Sequence, residues 1–232
     1  MKIAFLGDSI TEGVHGASYI KVLEEMNTDI SFSNYGKGGD TVSSLLRRMK
    51  KINDLNEYDI IVLFIGINDI LGTLSWFYKL LKVIDKQPVA KSEEAFQTSY
   101  KSVLEYLNQL NAKIVIIPPL FIGEKIDNKW NIEVTKLVEI IESLIMQYPE
   151  MDYINIRKEF EDYLKNKVLS DFVPLKAMDM KQDGDDIRSG KDVDAIGERR
   201  GLYLTIDGVH INTLGARMIA NSIQMYLSEY NK

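Results

Sequence analysis

Five short runs of apolar or alternating residues recur along the chain. They are residues 3–6, 30–35, 58–65, 113–117 and 152–156. Runs of this length that end in turn residues are typical of β-strands. The run at 58–65 is unbroken and rich in β-branched and aromatic residues, a pattern that indicates a central parallel strand buried on both faces.

Amphipathic stretches separate these predicted strands. Apolar side chains at three- and four-residue spacing, which form one helix face, mark residues 18–26, 41–49, 96–107, 134–145 and the stretch after residue 213. Strands that alternate with such helices are joined by right-handed crossovers and build a parallel sheet. We therefore predict one α/β domain over residues 1–232, a doubly wound five-stranded parallel sheet with helices on both faces.

Two segments depart from this alternation. Residues 71–84 are apolar and aromatic. We expect a core helix there, although some of its aromatic side chains could instead line an acyl pocket. Residues 176–201 contain thirteen charged residues and four glycines among twenty-six, too little apolar surface to offset the entropy of ordering them. We expect a mobile insertion there, serving as a flap or, alternatively, as a simple surface loop.

Composition excludes several function classes. The 34 acidic residues outnumber 28 Lys and Arg, giving a net charge of -6, so we expect no nucleic-acid partner. The chain lacks cysteine and has two histidines, His15 and His210, which excludes a thiol nucleophile and disfavours a metal site. We expect no metal and no cofactor. No apolar run approaches the ~20 residues of a membrane span, and no signal peptide precedes the first strand, so we expect a cytoplasmic protein.

The first predicted strand ends in Gly7-Asp8-Ser9. In open α/β sheets, ligands bind outside the carboxyl ends of the strands, and a hydroxyl there is accessible to a substrate. Ser9 is therefore a candidate nucleophile. Asp8 and Ser9 also suit the cap of a following helix, and the tripeptide alone favours this second interpretation.

The last polar turn of the chain contains Asp207 and His210, three residues apart. At this spacing the carboxylate can reach the imidazole Nδ1–H and fix its tautomer and orientation. A histidine beside a helix start is more often structural. An acidic residue three positions before it, in a chain with a strand-end serine, instead indicates catalysis.

Two further turns, residues 34–41 and 66–69, complete a series of four. In order and identity the four turns resemble the conserved blocks of the SGNH/GDSL hydrolases, a family of esterases, lipases and related acylhydrolases. Gly39 matches the block glycine through the pattern Asn-x-Gly-x-x-Gly-x-Thr, and Asn68 matches the block asparagine. The resemblance spans residues 3–215 and depends on the four blocks together.

This resemblance implies a flavodoxin-like SGNH hydrolase fold and serine-dependent hydrolysis of a carboxylic ester through an acyl-enzyme. Ser9 would be the nucleophile, His210 the general base and Asp207 its orienting acid. The Ser9 N–H, the Gly39 N–H and the Asn68 amide would form the oxyanion hole. The family's substrates imply a small-molecule ester, which is a short-chain ester, a lipid or an acetylated saccharide.

Two other functions fit parts of the same pattern. An acyltransferase would use the same triad with an alcohol in place of water. A non-catalytic module on the same scaffold would use Ser9 and the glycines to bind an anion, but binding alone does not need Asp207 and His210. The α/β-hydrolase fold proper is disfavoured, because the chain lacks a Gly-x-Ser-x-Gly elbow and its serine follows the first strand.

Overall fold

One parallel sheet of five strands organises the computed structural model, which describes residues 1–73, 76–174 and 177–230, without the side chains of residues 76, 77 and 177–180. The strands are β1 (Lys2–Gly7), β2 (Ser31–Gly36), β3 (Ile60–Phe64), β4 (Lys113–Ile117) and β5 (Asp152–Tyr153). Their order is β2-β1-β3-β4-β5, and every pairing is parallel. This confirms the predicted sheet. The fifth strand is shorter than predicted, because Asn155 caps a helix that begins at Ile156.

Helices connect the strands and continue to the end of the described chain. They are α1 (Ser9–Glu12), α2 (Tyr19–Met26), α3 (Val42–Met49), α4 (Ile67–Leu71), α5 (Trp76–Ile84), α6 (Glu93–Leu107), α7 (Lys129–Ile145), α8 (Ile156–Leu164), α9 (Ala177–Arg188), α10 (Val193–Glu198) and α11 (Thr213–Tyr230). The five predicted amphipathic stretches correspond to α2, α3, α6, α7 and α11. No helix in the described ranges is long and apolar enough to cross a membrane.

Both faces of the sheet are covered, as the unbroken apolar strands predicted. Ile3 and Phe5 of β1 pack into one cluster with side chains of α2, α8 and α11. Ala4 and Leu6, which point the opposite way, pack into a second cluster with side chains of α3 and α6. Alternate side chains of a strand lie on opposite faces, so a strand between two helical layers must be apolar throughout.

The predicted core helix over residues 71–84 is wrong in two respects. The chain forms two helices, α4 and α5, and residues 74 and 75 between them lie outside the described residues. In α5 the aliphatic side chains Leu80, Val83 and Ile84 are exposed. Helix α5 therefore covers one side of the molecule without entering the core, and its buried side faces a cavity described below.

The segment predicted as a mobile insertion, either a flap or a surface loop, is largely helical. Residues 177–188 form α9 and residues 193–198 form α10, whereas residue 176 lies outside the described residues. Composition failed here because it does not reveal which charged residues of the segment pair with one another. Arg200 donates two hydrogen bonds to the buried carboxylate of Asp183, at 2.7 and 3.0 Å. The mobility of this segment stays a prediction.

Two buried tyrosines differ in one hydrogen bond. Tyr100 and Tyr19 are both fully buried. The Tyr19 hydroxyl donates to Thr11 Oγ1 at 3.1 Å, whereas the Tyr100 hydroxyl has no partner among the described residues. An unpaired buried hydroxyl costs about 1–3 kcal/mol, and removing it without changing shape can be neutral or stabilising.

We predict that Tyr100→Phe leaves the free energy of unfolding unchanged or raises it by up to about 1 kcal/mol. Tyr19→Phe is the matched control and should lower it by a similar amount, because Thr11 loses its donor. Urea denaturation of the three proteins measures both changes. A Tyr100→Phe protein destabilised as much as Tyr19→Phe would mean that the Tyr100 hydroxyl has a partner after all.

Candidate active site

The turn after β1 places Ser9 at the carboxyl edge of the sheet. The Asp8 side chain caps α1 by accepting a hydrogen bond from Ile10 N at 3.0 Å, so Asp8 and not Ser9 is the capping residue. Gly7 has no room for a side chain, since a Cβ there would lie 2.1 Å from Thr11 Oγ1. The tight turn leaves Ser9 as the first residue of the helix, with its hydroxyl directed to a cavity.

Ser9, His210 and Asp207 form one hydrogen-bonded chain. Ser9 Oγ lies 2.9 Å from His210 Nε2, and His210 Nδ1 lies 2.7 Å from Asp207 Oδ2. The other carboxylate oxygen of Asp207 accepts from Val209 N and His210 N at 2.9 and 2.7 Å. The three predicted residues therefore lie together, although Ser9 and His210 are 201 positions apart in the sequence. Such a relay can carry a proton from the hydroxyl to the imidazole.

A buried carboxylate, which the sequence did not reveal, fixes the segment before this turn. Glu124 is fully buried. Its oxygens accept hydrogen bonds at 2.8 Å from the backbone N–H groups of Tyr203, Leu204 and Thr205, and at 2.7 Å from the Thr205 hydroxyl. Four donors compensate the lost hydration of the carboxylate. The loop after β4 and the Asp207–His210 turn are thereby joined.

The helical segment 177–198 is joined to the same turn. Besides its two bonds to Asp183, Arg200 donates to the carbonyl of Ile206 at 2.7 Å, directly before Asp207. The guanidinium also lies 4.7 Å from the ring centre of Phe172. Asp183 and Arg200 thus position α9 beside the relay.

The predicted glycine lies in a backbone turn after β2. The Asp40 N–H donates to the Lys37 carbonyl at 3.1 Å, and Gly39 within the turn has a φ of 77°, a left-handed conformation that favours glycine. Gly38 N donates to Glu12 Oε2 at 3.0 Å, which attaches the turn to α1. Gly39 consequently borders the same cavity as Ser9.

Asn68 lies at the start of α4, directly after β3. The residue before the helix, Gly66, has a φ of 133°, which again favours glycine. Asn68 is buried, and its Oδ1 accepts a hydrogen bond from Lys82 Nζ at 2.8 Å. Its Nδ2 has no partner among the described residues. This amide nitrogen can therefore donate to the oxygen of a bound ligand.

A cavity of about 340 Å³ joins these groups. Four predicted residues border it: Ser9, Gly39, Asn68 and His210. The residues that sequence reasoning missed include His15, Lys82 and Gln87. Leu71, Tyr78 and Leu81 supply its apolar wall, so one aromatic residue of the 71–84 segment does line the pocket. The side chains of Trp76 and Phe77 lie outside the described residues.

Burial and charge shift the titration of the site. Burial alone would lower the pKa of His210, but the Asp207 carboxylate outweighs it and raises this pKa above 6.5. The charge of His210 and its hydrogen bonds hold the pKa of Asp207 low despite burial. Burial raises the pKa of Asp8 to about 7. The His15 ring lies 5.6 Å from that of His210, and burial and the His210 charge lower the His15 pKa.

Comparison with known proteins agrees with this arrangement. The profile of the GDSL-like Lipase/Acylhydrolase family matches residues 3–223. The chain belongs to this family, as the four polar turns predicted, and it is an enzyme that hydrolyses esters. No curated protein matches the chain at a significant level.

Solved structures share the fold over nearly the whole chain. The acetyl xylan esterase AlAXEase is 25% identical over 97% of this chain and 99% of its own, with a TM-score of 0.69. LAE5, an alpha/beta hydrolase enzyme from the metagenome of Lake Arreo, is 17% identical over 97% and 93%, with a TM-score of 0.65. Axe2, an acetylxylan esterase from Geobacillus stearothermophilus, is 18% identical over 97% and 92%, with a TM-score of 0.64.

Substituted forms of the Geobacillus enzyme have also been solved. Three of them are called catalytic mutants, in which a serine, an aspartate or a histidine is replaced by alanine. The replaced aspartate and histidine are three positions apart in that chain, the spacing of Asp207 and His210 here.

We predict that the two histidines titrate on opposite sides of the ordinary value of about 6.5. His210 should titrate above it and His15 below it, although their rings are neighbours. Asp207→Asn removes the carboxylate that favours imidazolium, so it should lower the pKa of His210. Asp8 and Asp183 also face His210 and add smaller effects of the same sign.

NMR titration of the imidazole C–H signals measures both values, and His15→Phe leaves a single histidine whose signal is assigned without ambiguity. Equal pKa values for the two rings, or no change in His210 with Asp207→Asn, would contradict this account of the site.

Proposed function

We propose that this enzyme hydrolyses esters by a serine nucleophile and an acyl-enzyme intermediate. The observation that carries the proposal is the unbroken hydrogen-bonded chain from Ser9 Oγ through His210 to Asp207. A serine hydroxyl attacks an ester only while a base removes its proton. His210 Nε2 is within range to do so, and the neutral imidazole is the competent form.

In the first half of the reaction, Ser9 Oγ forms a bond to the carbonyl carbon as its proton passes to His210 Nε2. Asp207 stabilises the imidazolium that results. The tetrahedral intermediate collapses when its bond to the alcohol oxygen breaks, and His210 returns the proton to that oxygen. The alcohol leaves, and the acyl group remains on Ser9.

In the second half, water takes the place of the alcohol. His210 removes a proton from the water as its oxygen attacks the acyl carbon, and then returns the proton to Ser9 Oγ as the acid departs. Each half passes through an intermediate with a negatively charged oxygen. We assign its stabilisation to the Ser9 N–H, the Gly39 N–H and the Asn68 amide, and the unpartnered Asn68 Nδ2 at the cavity supports this assignment.

We further propose that the acyl group is short. The cavity of about 340 Å³ lies at the small end of ligand pockets, which are roughly 300–1,000 Å³. Tyr78 and Leu81 narrow it from the side of α5, and the Tyr78 hydroxyl donates to the Pro174 carbonyl at 3.1 Å. The structural similarity to acetylxylan esterases supports an acetylated saccharide as one such substrate.

Removing the nucleophile or the base tests the mechanism. Ser9→Ala and His210→Ala should each lower kcat for p-nitrophenyl acetate by about 10⁴ or more, and the double variant should be scarcely slower because the groups act as a unit. A fluorophosphonate should add its mass to the peptide that contains Ser9 in the wild type and not in Ser9→Ala. A folded Ser9→Ala protein with nearly wild-type activity would exclude the mechanism.

A series of p-nitrophenyl esters tests the acyl length. We expect kcat/KM to fall about tenfold or more from acetate to octanoate, since a longer acyl chain must pack against Tyr78 and Leu81, which line the cavity. Leu81→Ala should raise kcat/KM for the octanoate. Leu80→Ala, which changes an exposed side chain of the same helix, should leave it unchanged. A rate that rises with chain length would exclude a short-acyl enzyme. Acyl transfer to added alcohol that exceeds hydrolysis would favour an acyltransferase.

A further inference from the structure

Helix α5 carries a lysine on the side that a globular protein normally keeps apolar. Lys82 is only 7% exposed, whereas Leu80, Val83 and Ile84 of the same helix point to solvent. Long aliphatic side chains gain free energy by burial and an ammonium group loses it. Packing alone would rotate this helix the other way, so the inward lysine requires another explanation.

The buried ammonium group contacts two parts of the candidate oxyanion site. Lys82 Nζ donates to Asn68 Oδ1 at 2.8 Å and to the Gly39 carbonyl at 2.5 Å. Both acceptors are neutral amide oxygens, on residues that follow two different strands. One cation therefore connects the asparagine after β3 to the glycine turn after β2.

The hydrogen-bond chemistry of lysine determines how the Asn68 amide is oriented. An ammonium group has three donors and no acceptor, and an amide presents oxygen on one side and NH₂ on the other. Because Lys82 Nζ lies 2.8 Å from one end of the Asn68 amide, that end must be the oxygen. The NH₂ group then lies at the other end of the amide, where Nδ2 has no partner among the described residues, and Asn68 borders the cavity. Without the lysine, the amide could rotate and present an oxygen to the substrate.

Gln87, which follows α5, acts on the neighbouring peptide. Its Nε2 donates to the Gly38 carbonyl at 2.8 Å, and this carbonyl belongs to the peptide bond that supplies the Gly39 N–H. A donor to the carbonyl polarises the same peptide's N–H. Gln87 is itself buried and its Oε1 is so near Gly39 that a Cβ there would lie at 2.4 Å.

We propose that Lys82 is a positioning residue of the oxyanion hole, holding the Asn68 amide with its NH₂ group toward the reacting carbonyl and strengthening that donor. The inference rests on the proposed mechanism. The charge that Lys82 stabilises arises only when the carbonyl oxygen becomes anionic, so its contribution belongs to kcat more than to KM. The carboxylates of Asp8, Asp40, Asp69 and Asp85 favour the charged ammonium, although burial lowers its pKa to about 8.

The test compares two variants of Lys82 with a control on the same helix. Lys82→Met keeps the length and loses the donor, and Lys82→Gln keeps a donor without charge. Lys79→Met removes an exposed lysine. With p-nitrophenyl acetate, Lys82→Met should lower kcat about ten- to a hundredfold, the value of a charge-assisted hydrogen bond, with KM within about twofold. Lys82→Gln should lower kcat by a smaller factor, and Lys79→Met should have the kcat and KM of the wild type.

Asn68→Ala supplies the second arm. It should lower kcat by about 10²- to 10³-fold with little change in KM, since one oxyanion donor is lost. Adding Lys82→Met to Asn68→Ala should lower kcat by a several-fold smaller factor than adding it to the wild type, because the lysine acts through the amide. Full activity in Asn68→Ala would contradict the oxyanion assignment itself, whereas additive effects in the double variant would overturn only the role of Lys82.

Other outcomes also decide the question. A sharp rise in KM with unchanged kcat in Lys82→Met would make Lys82 a substrate ligand and overturn the proposal. A lower melting temperature with wild-type kcat would make the lysine merely structural. If Lys82→Met does not fold, Lys82→Gln is measured in the wild type and in Asn68→Ala instead. An equal fold-loss of kcat in both proteins would show that Lys82 does not act through Asn68 and would reject the proposal.

Discussion

The parallel register of β1 with its two neighbours is the constraint on which the site depends. Gly7, the last residue of β1, pairs with Gly36 of β2 and with Phe64 of β3. The three strands therefore end at one level, and the turns that follow them open at one edge. Ser9, Gly39 and Asn68 each lie two to four residues beyond this level. Apolar layers on both faces hold the strands in register, so core packing sets the distances in the site.

Around this edge of the sheet, acidic and basic side chains are buried close to one another. Burial raises the pKa of Asp8 to about 7 and that of Asp69 to about 6, and it lowers the pKa of Lys82 to about 8. Asp69 also accepts hydrogen bonds from the N–H groups of Val42 and Ala90. The Lys82 ammonium makes the carboxylates of Asp8 and Asp69 less costly to bury, and they do the same for Lys82. The local charge of the site changes most within a pH unit or two of neutrality.

Local signals explain which parts of the site the sequence could predict. A strand end, a polar turn and a helix start occupy adjacent positions, so the locations of Ser9, Asn68 and the Asp207–His210 pair could be read from the pattern. Lys82 and Glu124 could not, because their partners are distant in sequence and neither lies in a recognisable turn. One cue did exist for Lys82: a lysine in the middle of an apolar, aromatic helical segment is unusual unless it has a polar partner.

The same limit applied to the fold. Strand and helix positions followed from periodicity, whereas the helices of residues 177–198 did not, because Arg200 and Asp183 stabilise them by a contact that composition does not reveal. The orientation of α5 was missed for a related reason. Its apolar residues predicted a core helix, but its inward side, with Tyr78, Leu81 and Lys82, lines the cavity.

Glu124 makes the Asp207–His210 turn dependent on a loop that is distant from it in sequence. The Asp207–His210 turn follows no strand of the sheet; its approach is held by one carboxylate that binds three successive backbone N–H groups, much as a neighbouring strand would. The position of the turn therefore depends on the loop after β4 as well as on its own sequence. Replacing the β4 loop by one that lacks this carboxylate would leave those N–H groups without their acceptor and release the segment that leads to His210.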